Sequence, residues 1–241
     1  MAISNSFDFS INRNQVIAGA LRKLGVISQG QTPDSDQITD ASEALNTLVK
    51  AWQAEGLPLW AIKTFSFTPV SGTTSYSVGT GLTVNTAEPL KIYQMYYRNN
   101  TSEIDIPINP LTQQQYHFLS SKLQEGTPVQ FYYERLNGYG NIHLFLTPDT
   151  TFASNNTIYF LYQRPFSDFD SSTDTPDFPQ EWIRALIYGL ADEMSLDYGI
   201  PEKTQDRLKS RAAEYKEEAL GFTQEEGSIF FSPTLNYYNS R

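Results

Sequence analysis

Two histidines, 27 carboxylates and no cysteine set the chemistry open to this chain of 241 residues. Without cysteine there are no disulfides, thiolate metal sites or thiol nucleophiles, and the redox compartment stays open. His117 falls in a short helical pattern, and His143 lies between Ile142 and Leu144 in an alternating one. Neither has a near histidine or cysteine companion, so a metal site would have to draw carboxylates from afar; both read as structural. The stretch DFDSSTDTPDFPQE, residues 168–181, begins with the spacing of a calcium loop. Its sixth position is Thr173 instead of glycine and its twelfth Pro179 instead of glutamate, so it reads as a solvated linker whose acids favour the start of the next helix. Glycosidic chemistry needs two carboxylates about 5–9 Å apart across a cleft, and nothing in the sequence pairs any two. Gly138 and Gly140 in NGYGN form a turn, and no nucleophile-elbow, zincin, Walker or dinucleotide fingerprint occurs. The expectation is no catalytic residue, no metal and no cofactor.

Binding chemistry is more open. Tyr93, Tyr96, Tyr97, Tyr132 and Tyr133 could stack on sugars, although core packing is the commoner fate of strand tyrosines. The basic candidates are RKL at 22–24 and the mixed-charge segment around 207–211. Both read as helix-end or salt-bridge charges rather than a nucleic-acid stripe. The formal net charge of −10 repels DNA and anionic lipid at long range. It suits a wall that DNA must pass without sticking. No apolar run approaches the ~20 residues of a membrane span, and MAISNSFDFS lacks the pattern of a signal peptide. The glycosylation-like triplets at Asn99 and Asn155 read as loop sequences.

The elements that must position these residues fall into blocks. Asn12 can cap a first helix, with Ile11 and Val16 as a staple and Gly25 as its stop. Val16, Ile17, Ala20, Leu21 and Leu24 share its apolar face. A second helix starts near Ser35 or Asp36. Ile38, Ala41, Leu45, Leu48 and Trp52 form its stripe, and Gly56 and Pro58 end it. From about residue 62 to 162 the period becomes two. Phe65 and Phe67, a turn-rich SGTTS, then Tyr76 and Val78 read as a hairpin, and KIYQMYYR, IDIPI, VQFYYER, IHLFL and TIYFLY as further strands. A short helix near 111–119 interrupts them. Helical pattern returns with Pro179 at a first helical position and Trp182, Ile183, Leu186, Ile187, Leu190 and Met194 on one side. The last helix starts near Pro201, with Leu208, Ala212, Tyr215, Ala219 and Phe222 on a stripe. The expected fold is therefore α+β: a split four-helix core (1–61 and 169–226) holding a small antiparallel β-rich insertion (62–168), followed by an extended arm (227–241). Leu21, Leu24, Leu45, Leu48, Trp52, Trp182, Leu186 and Leu190 are the expected helical core.

The arm poses the sharpest question. Ile229, Phe230, Phe231, Leu235, Tyr237 and Tyr238 follow no helical or strand period, and Pro233 interrupts any ladder. The entropy of ordering such a segment exceeds what its side chains return by themselves. It must borrow a surface, either its own domain's or a partner's, where Phe230, Phe231 and Tyr238 would serve as anchors.

Taken in order, ALRKLGV at 20–26, LNTLVKAW at 45–52 and EGLPLW ending at Trp60 resemble the head-to-tail adaptor proteins of short-tailed bacteriophages, also called connector, head-completion or tail tubular proteins. FSFTPVSGTTSYSVG at 65–79, NIHLFLTP at 141–148, YQRPF at 162–166 and DTPDFPQEWIRALIYGLA at 174–191 fit the forms with a long β insertion. The likeness covers roughly residues 12–222. It implies a virion protein of the head–tail junction, assembled in the host cytoplasm as a twelve-fold homo-oligomeric ring under the portal protein. It also implies a helical part around the DNA channel, a β part toward the tail nozzle or hub and the fibre or spike proteins, and a portal-docking arm. Double-stranded DNA would pass without sequence-specific binding, and no membrane is involved. Some relatives are associated with cell-wall degradation, but no matched catalytic residues stand here. The alternatives are a tail-associated wall-degrading enzyme and a carbohydrate- or receptor-binding tail module.

Overall fold

A computed structural model describes residues 9–56 and 59–223. In chain order the elements are α1 (Arg13–Leu24), α2 (Ser35–Ala54), β1 (Ile62–Phe67), β2 (Ser75–Val78), β3 (Lys91–Asn99), β4 (Asp105–Pro110), α3 (Gln113–Phe118), β5 (Glu125–Gly126), β6 (Gln130–Arg135), β7 (Gly140–Phe145), β8 (Thr147–Pro148), α4 (Thr150–Asn155), β9 (Asn156–Gln163), α5 (Ile183–Glu193) and α6 (Glu202–Thr223). The helix starts have local causes. The Asn12 side chain accepts from the Gln15 N–H while the Gln15 side chain reaches back to the Asn12 N–H. Asp34 with Gln37 and Thr112 with Gln115 repeat this reciprocal cap on α2 and α3. Gly25 ends α1 at φ 79°, the left-handed conformation that glycine adopts without steric cost.

The expected fold is not what forms. Instead of a split four-helix core with a small antiparallel insertion, the described residues build a curled, mixed seven-stranded half-barrel with six α-helices. The strand order is β1-β9-β3-β4-β6-β7-β2. It is mixed because β4 and β6 run parallel, with Asn109 opposite Gln130. A tight turn cannot join parallel neighbours, and α3 with residues 119–129 carries the chain back between them. The short pair β5 and β8 is parallel too. Nor is the sheet small. Its interior, centred on Tyr76, Phe131, Ile142, Leu144, Ile158 and Phe160, is a core in its own right.

The expected β1–β2 hairpin also gives way. β1 pairs with β9 and β2 with β7, so the two are opposite edges of the sheet. Yet the Phe67 and Tyr76 rings lie 4.9 Å apart, because the sheet curls until its edges meet through side chains. The Tyr76 hydroxyl donates to the Val70 carbonyl and accepts from the Val70 N–H, which closes the connection. A bulge at Tyr93 shifts the register of β3, so that Ile92 and Met95, three apart, both reach the interior. Pro179 precedes a 3₁₀ turn, Gln180–Trp182, and α5 begins only at Ile183. The single-turn helix α4, capped by Asp149, has no counterpart in the sequence reading.

The sheet hangs on the helices where its first and last strands meet. Ile62 pairs with Gln163, and the Arg164 N–H donates to the Ala61 carbonyl at 2.9 Å. Trp60 packs on Phe166, Phe178 and Trp182, with ring centroids 6.0, 5.7 and 5.3 Å away. Its Nε1 donates to the Asp177 carbonyl. Residues 166–178 are pinned at Phe166, Phe169 and Asp174, while Ser167, Asp168 and Asp170 through Thr173 stay exposed to solvent, as expected of a linker. The Phe166 N–H donates to Gln53, the Phe169 N–H to Asn46, and the Arg13 N–H to the Asp174 carbonyl.

Arg164 grips the Asp177 carboxylate with both terminal nitrogens. Burial alone would push this carboxyl up, but Arg164 and the N–H and hydroxyl of Ser167 outweigh it and hold it below the usual range. A depressed folded-state pKa means that the stabilisation is present above the unfolded value of about 3.9 and is lost as pH falls through the folded one. Asp177→Asn is expected to cost about 1–3 kcal/mol at neutral pH and to flatten the acid limb of stability below about pH 4. Urea unfolding at pH 7 and pH 3 checks this. Equal midpoints for the two proteins at both pH values would contradict it.

Candidate functional site

The helices bury their apolar stripes together and leave a cationic face. Leu21, Leu45, Leu48, Leu186 and Leu190 share one cluster with Leu24 and Leu208. Trp182, Tyr215 and Ala219 form a second, and Trp52 packs against both. On the outside, the last turn of α1 meets the first turns of α5 and the first half of α6. Three neighbouring depressions share Lys23, and the largest has a volume of 740 Å³. Lys23, Arg184, Arg207 and Arg211 line this largest one, together with Tyr188 and Tyr215. Arg22 and Lys23 suit the carbonyl end of α1, where cations are favoured.

The floor of this groove is fixed by arginine–tyrosine contacts. The Arg184 guanidinium lies 3.6 Å over the Tyr215 ring, and its terminal nitrogen donates to the Tyr215 hydroxyl at 2.6 Å. Arg211 pairs with Glu214 at 2.9 Å. Lys23 sits over the Tyr188 ring, which meets Tyr215 edge-on at 4.8 Å. Such contacts hold the guanidinium planes in place while leaving donors free for a carboxylate fork. Thr204, Asp206 and Ser210 also line the groove, and its four cations suit it to anion recognition.

A second patch of the helical layer has the opposite sign. Asp34 caps α2, Asp36 and Asp40 stand exposed on its first turns, and Asp197 lies exposed beyond α5. Burial first, then the charges of Asp40, Asp34 and Asp197, push the Tyr198 hydroxyl up. Beside it Leu196 is 74% exposed.

The other sequence candidates disperse. His143 packs on Tyr132 and Tyr116, and its Nε2 stands 3.3 Å from Glu134. His117 is exposed next to Tyr116. Hydrogen bonds from His143 and then Asn141 hold the Glu134 carboxyl below its ordinary range. Among the described residues no group of three or more His, Cys, Asp or Glu could hold a metal ion, and no helix is long and apolar enough to cross a membrane. The tyrosines form no single platform. Tyr97 and Tyr133 pack against the sheet interior, Tyr133 donating to the Pro89 carbonyl at 2.6 Å. Tyr96 stacks on Tyr159 on the other face. Tyr93 donates to Gln163 at 3.1 Å. Ile229, Phe230, Phe231, Leu235, Tyr237 and Tyr238 lie outside the described residues.

The sequence gives no sign of Arg184, whereas RKL at 22–24 and the segment around Arg207 and Arg211 stand out as basic candidates and read as helix-end or salt-bridge charges. Arg207, Arg211 and Tyr215 recur at steps of four, a stripe legible in principle. The arrival of Arg184 beneath it depends on the packing of α5 against α6.

Compared with known families, the chain matches the model of the SU10 adaptor protein over residues 14–229. No curated protein is matched.

Proposed function

The chain belongs to the SU10 adaptor protein family, and from that premise we propose that it forms a ring under the portal of a phage head, continues the DNA channel and carries the tail nozzle and fibres. A structural adaptor of a phage particle is the coarse role. The finer reading assigns its parts. Residues 1–61 and 169–226 surround the channel, residues 62–168 turn toward tail components, and residues 227–241 reach the portal through Ile229, Phe230, Phe231, Leu235, Tyr237 and Tyr238. Twelve copies are expected from the likeness to head-to-tail adaptors.

The observation that carries this reading is the extent of the family match, which spans every α-helix and β-strand of the described chain except the first residue of α1. Charge supports it independently. Each copy carries a net −10, so a ring of such chains presents DNA with a repelling wall. The segments that join the strands also expose large apolar side chains, Ile104 before β4, Phe118 at the end of α3 and Leu123 beyond it, as a surface awaiting tail proteins would.

Purified chain mixed with DNA-filled, tail-less heads tests the reading by co-sedimentation. It is expected to saturate at one portal vertex per head and to leave portal-free shells bare. Equal binding to both particles, or to neither, would overturn it.

A further inference from the structure

We propose that the cationic groove between α1, α5 and α6 is the contact through which one copy receives the acidic end of the next, formed by Asp34, Asp36, Asp40 and Asp197 around Leu196. The inference rests on the ring reading above and names the surfaces by which the ring would close. The groove offers Lys23, Arg184, Arg207 and Arg211 around a 740 Å³ cavity floored by Leu208 and Tyr215. A carboxylate cluster carrying one exposed leucine fits that combination: charge for the guanidinium forks, and an aliphatic side chain for the aromatic floor.

Two features favour a second copy over other anions. The first is direction. Arg184 stands in the first turn of α5, and Asp197 lies beyond the last residue of that helix, Glu193; the helical stretch from Arg184 to Glu193 alone spans roughly 14 Å. The two patches are therefore different surfaces of one chain. A contact between unlike patches is the heterologous kind that generates rings, whereas a self-complementary patch stops at a pair. The second is the company the cations keep. Asp206 lines the same cavity, and Glu214 already holds Arg211. Duplex DNA calls for a run of cations without interspersed acids, and this groove is broken by them. A protein surface of mixed polarity matches it better.

The test uses the full chain on tail-less, portal-bearing heads, with photo-oxidative tyrosine-to-tyrosine coupling between copies, for which Tyr188 and Tyr215 stand in the groove and Tyr198 beside the acidic residues, and the ladder read on a denaturing gel. Lys23→Glu with Arg207→Glu reverses the groove while keeping the contacts among Arg184, Arg211, Glu214 and Tyr215. Asp40→Lys with Asp197→Lys reverses the acidic end. Circular dichroism verifies that each variant folds. Each reversal is expected to lower the ladder yield at least about tenfold, as like charges brought together repel. The four-residue swap is expected to restore it. Ladders equal to wild type in both reversals, or no recovery in the swap, would overturn the proposal. So would a groove reversal that removes portal binding while the acidic-end reversal does not, since the groove would then face the portal. Failure of wild-type chain to bind heads at all would instead sink the adaptor reading itself.

Discussion

Deleting residues 227–241 is expected to abolish attachment to portal-bearing heads and to change the stability of the remaining chain by no more than about 0.5 kcal/mol. Phe230, Phe231 and Tyr238 are aromatic anchors of the type that dominates interfaces. Losing three anchors of about 2 kcal/mol each lowers the affinity of a single copy by about four orders of magnitude. In a ring the loss multiplies, because every copy contributes an arm and the avidity of the assembly disappears with them. Phe230→Ala with Phe231→Ala should give an intermediate result, with heads decorated only at high protein concentration. Sedimentation with filled heads checks occupancy, and thermal melting checks the fold. Full occupancy by the truncated chain would remove the arm from the account. A large drop in melting temperature would instead show that the segment belongs to the packing of its own subunit.

The second large effect is expected at Trp182. This side chain is 4% exposed and lies edge-on to Trp52 at 5.6 Å and to Trp60 at 5.3 Å, with Phe178 at 5.9 Å. It joins the helical layer to the segment from which the sheet hangs. Trp182→Ala empties the centre of that aromatic cluster and is expected to cost about 3–5 kcal/mol. At roughly 2–4 °C per kcal/mol for a chain of this length, the melting temperature falls by roughly 6–20 °C. Trp182→Phe retains most of the contact and should lose less than half as much. A loss below about 1 kcal/mol for the alanine variant would mean that the cluster does not hold the two parts together.

The sequence made the local grammar of this fold legible and its long-range pairing illegible. Asn12, the start near Ser35 after Pro33, and Gly25 announce helix ends because the groups that satisfy a terminal turn lie within four residues of it. The stripe Ile38, Ala41, Leu45, Leu48 and Trp52 fixes the buried face of α2 for the same reason. In the middle of the chain, alternation identifies strands and their faces but says nothing of partners. Phe65, Phe67, Tyr76 and Val78 look like a hairpin, yet they line opposite edges of one curled sheet. The parallel pairing of β4 with β6 has no local mark, and the six residues of α4 lie between two strand patterns that mask it.

The functional surfaces divide in the same way. The apolar arm stands out because nothing local accounts for it. The cationic groove does not, since Lys23, Arg184 and Arg207 come from three helices and meet only through packing. Read one at a time, each is an ordinary helix charge. The tyrosines mislead in the opposite direction: Tyr93, Tyr96, Tyr97, Tyr132 and Tyr133 suggest a platform, and the pleat and bulge of the sheet turn them to different faces.

An electron-microscopy reconstruction of the tailed particle, with the symmetry at the head–tail junction counted, is the most direct measurement. The account predicts a closed ring between portal and nozzle whose subunit density holds a curled seven-stranded sheet beside four helices longer than ten residues. Density for this chain anywhere else in the particle, or a junction at which portal meets nozzle directly, would contradict it.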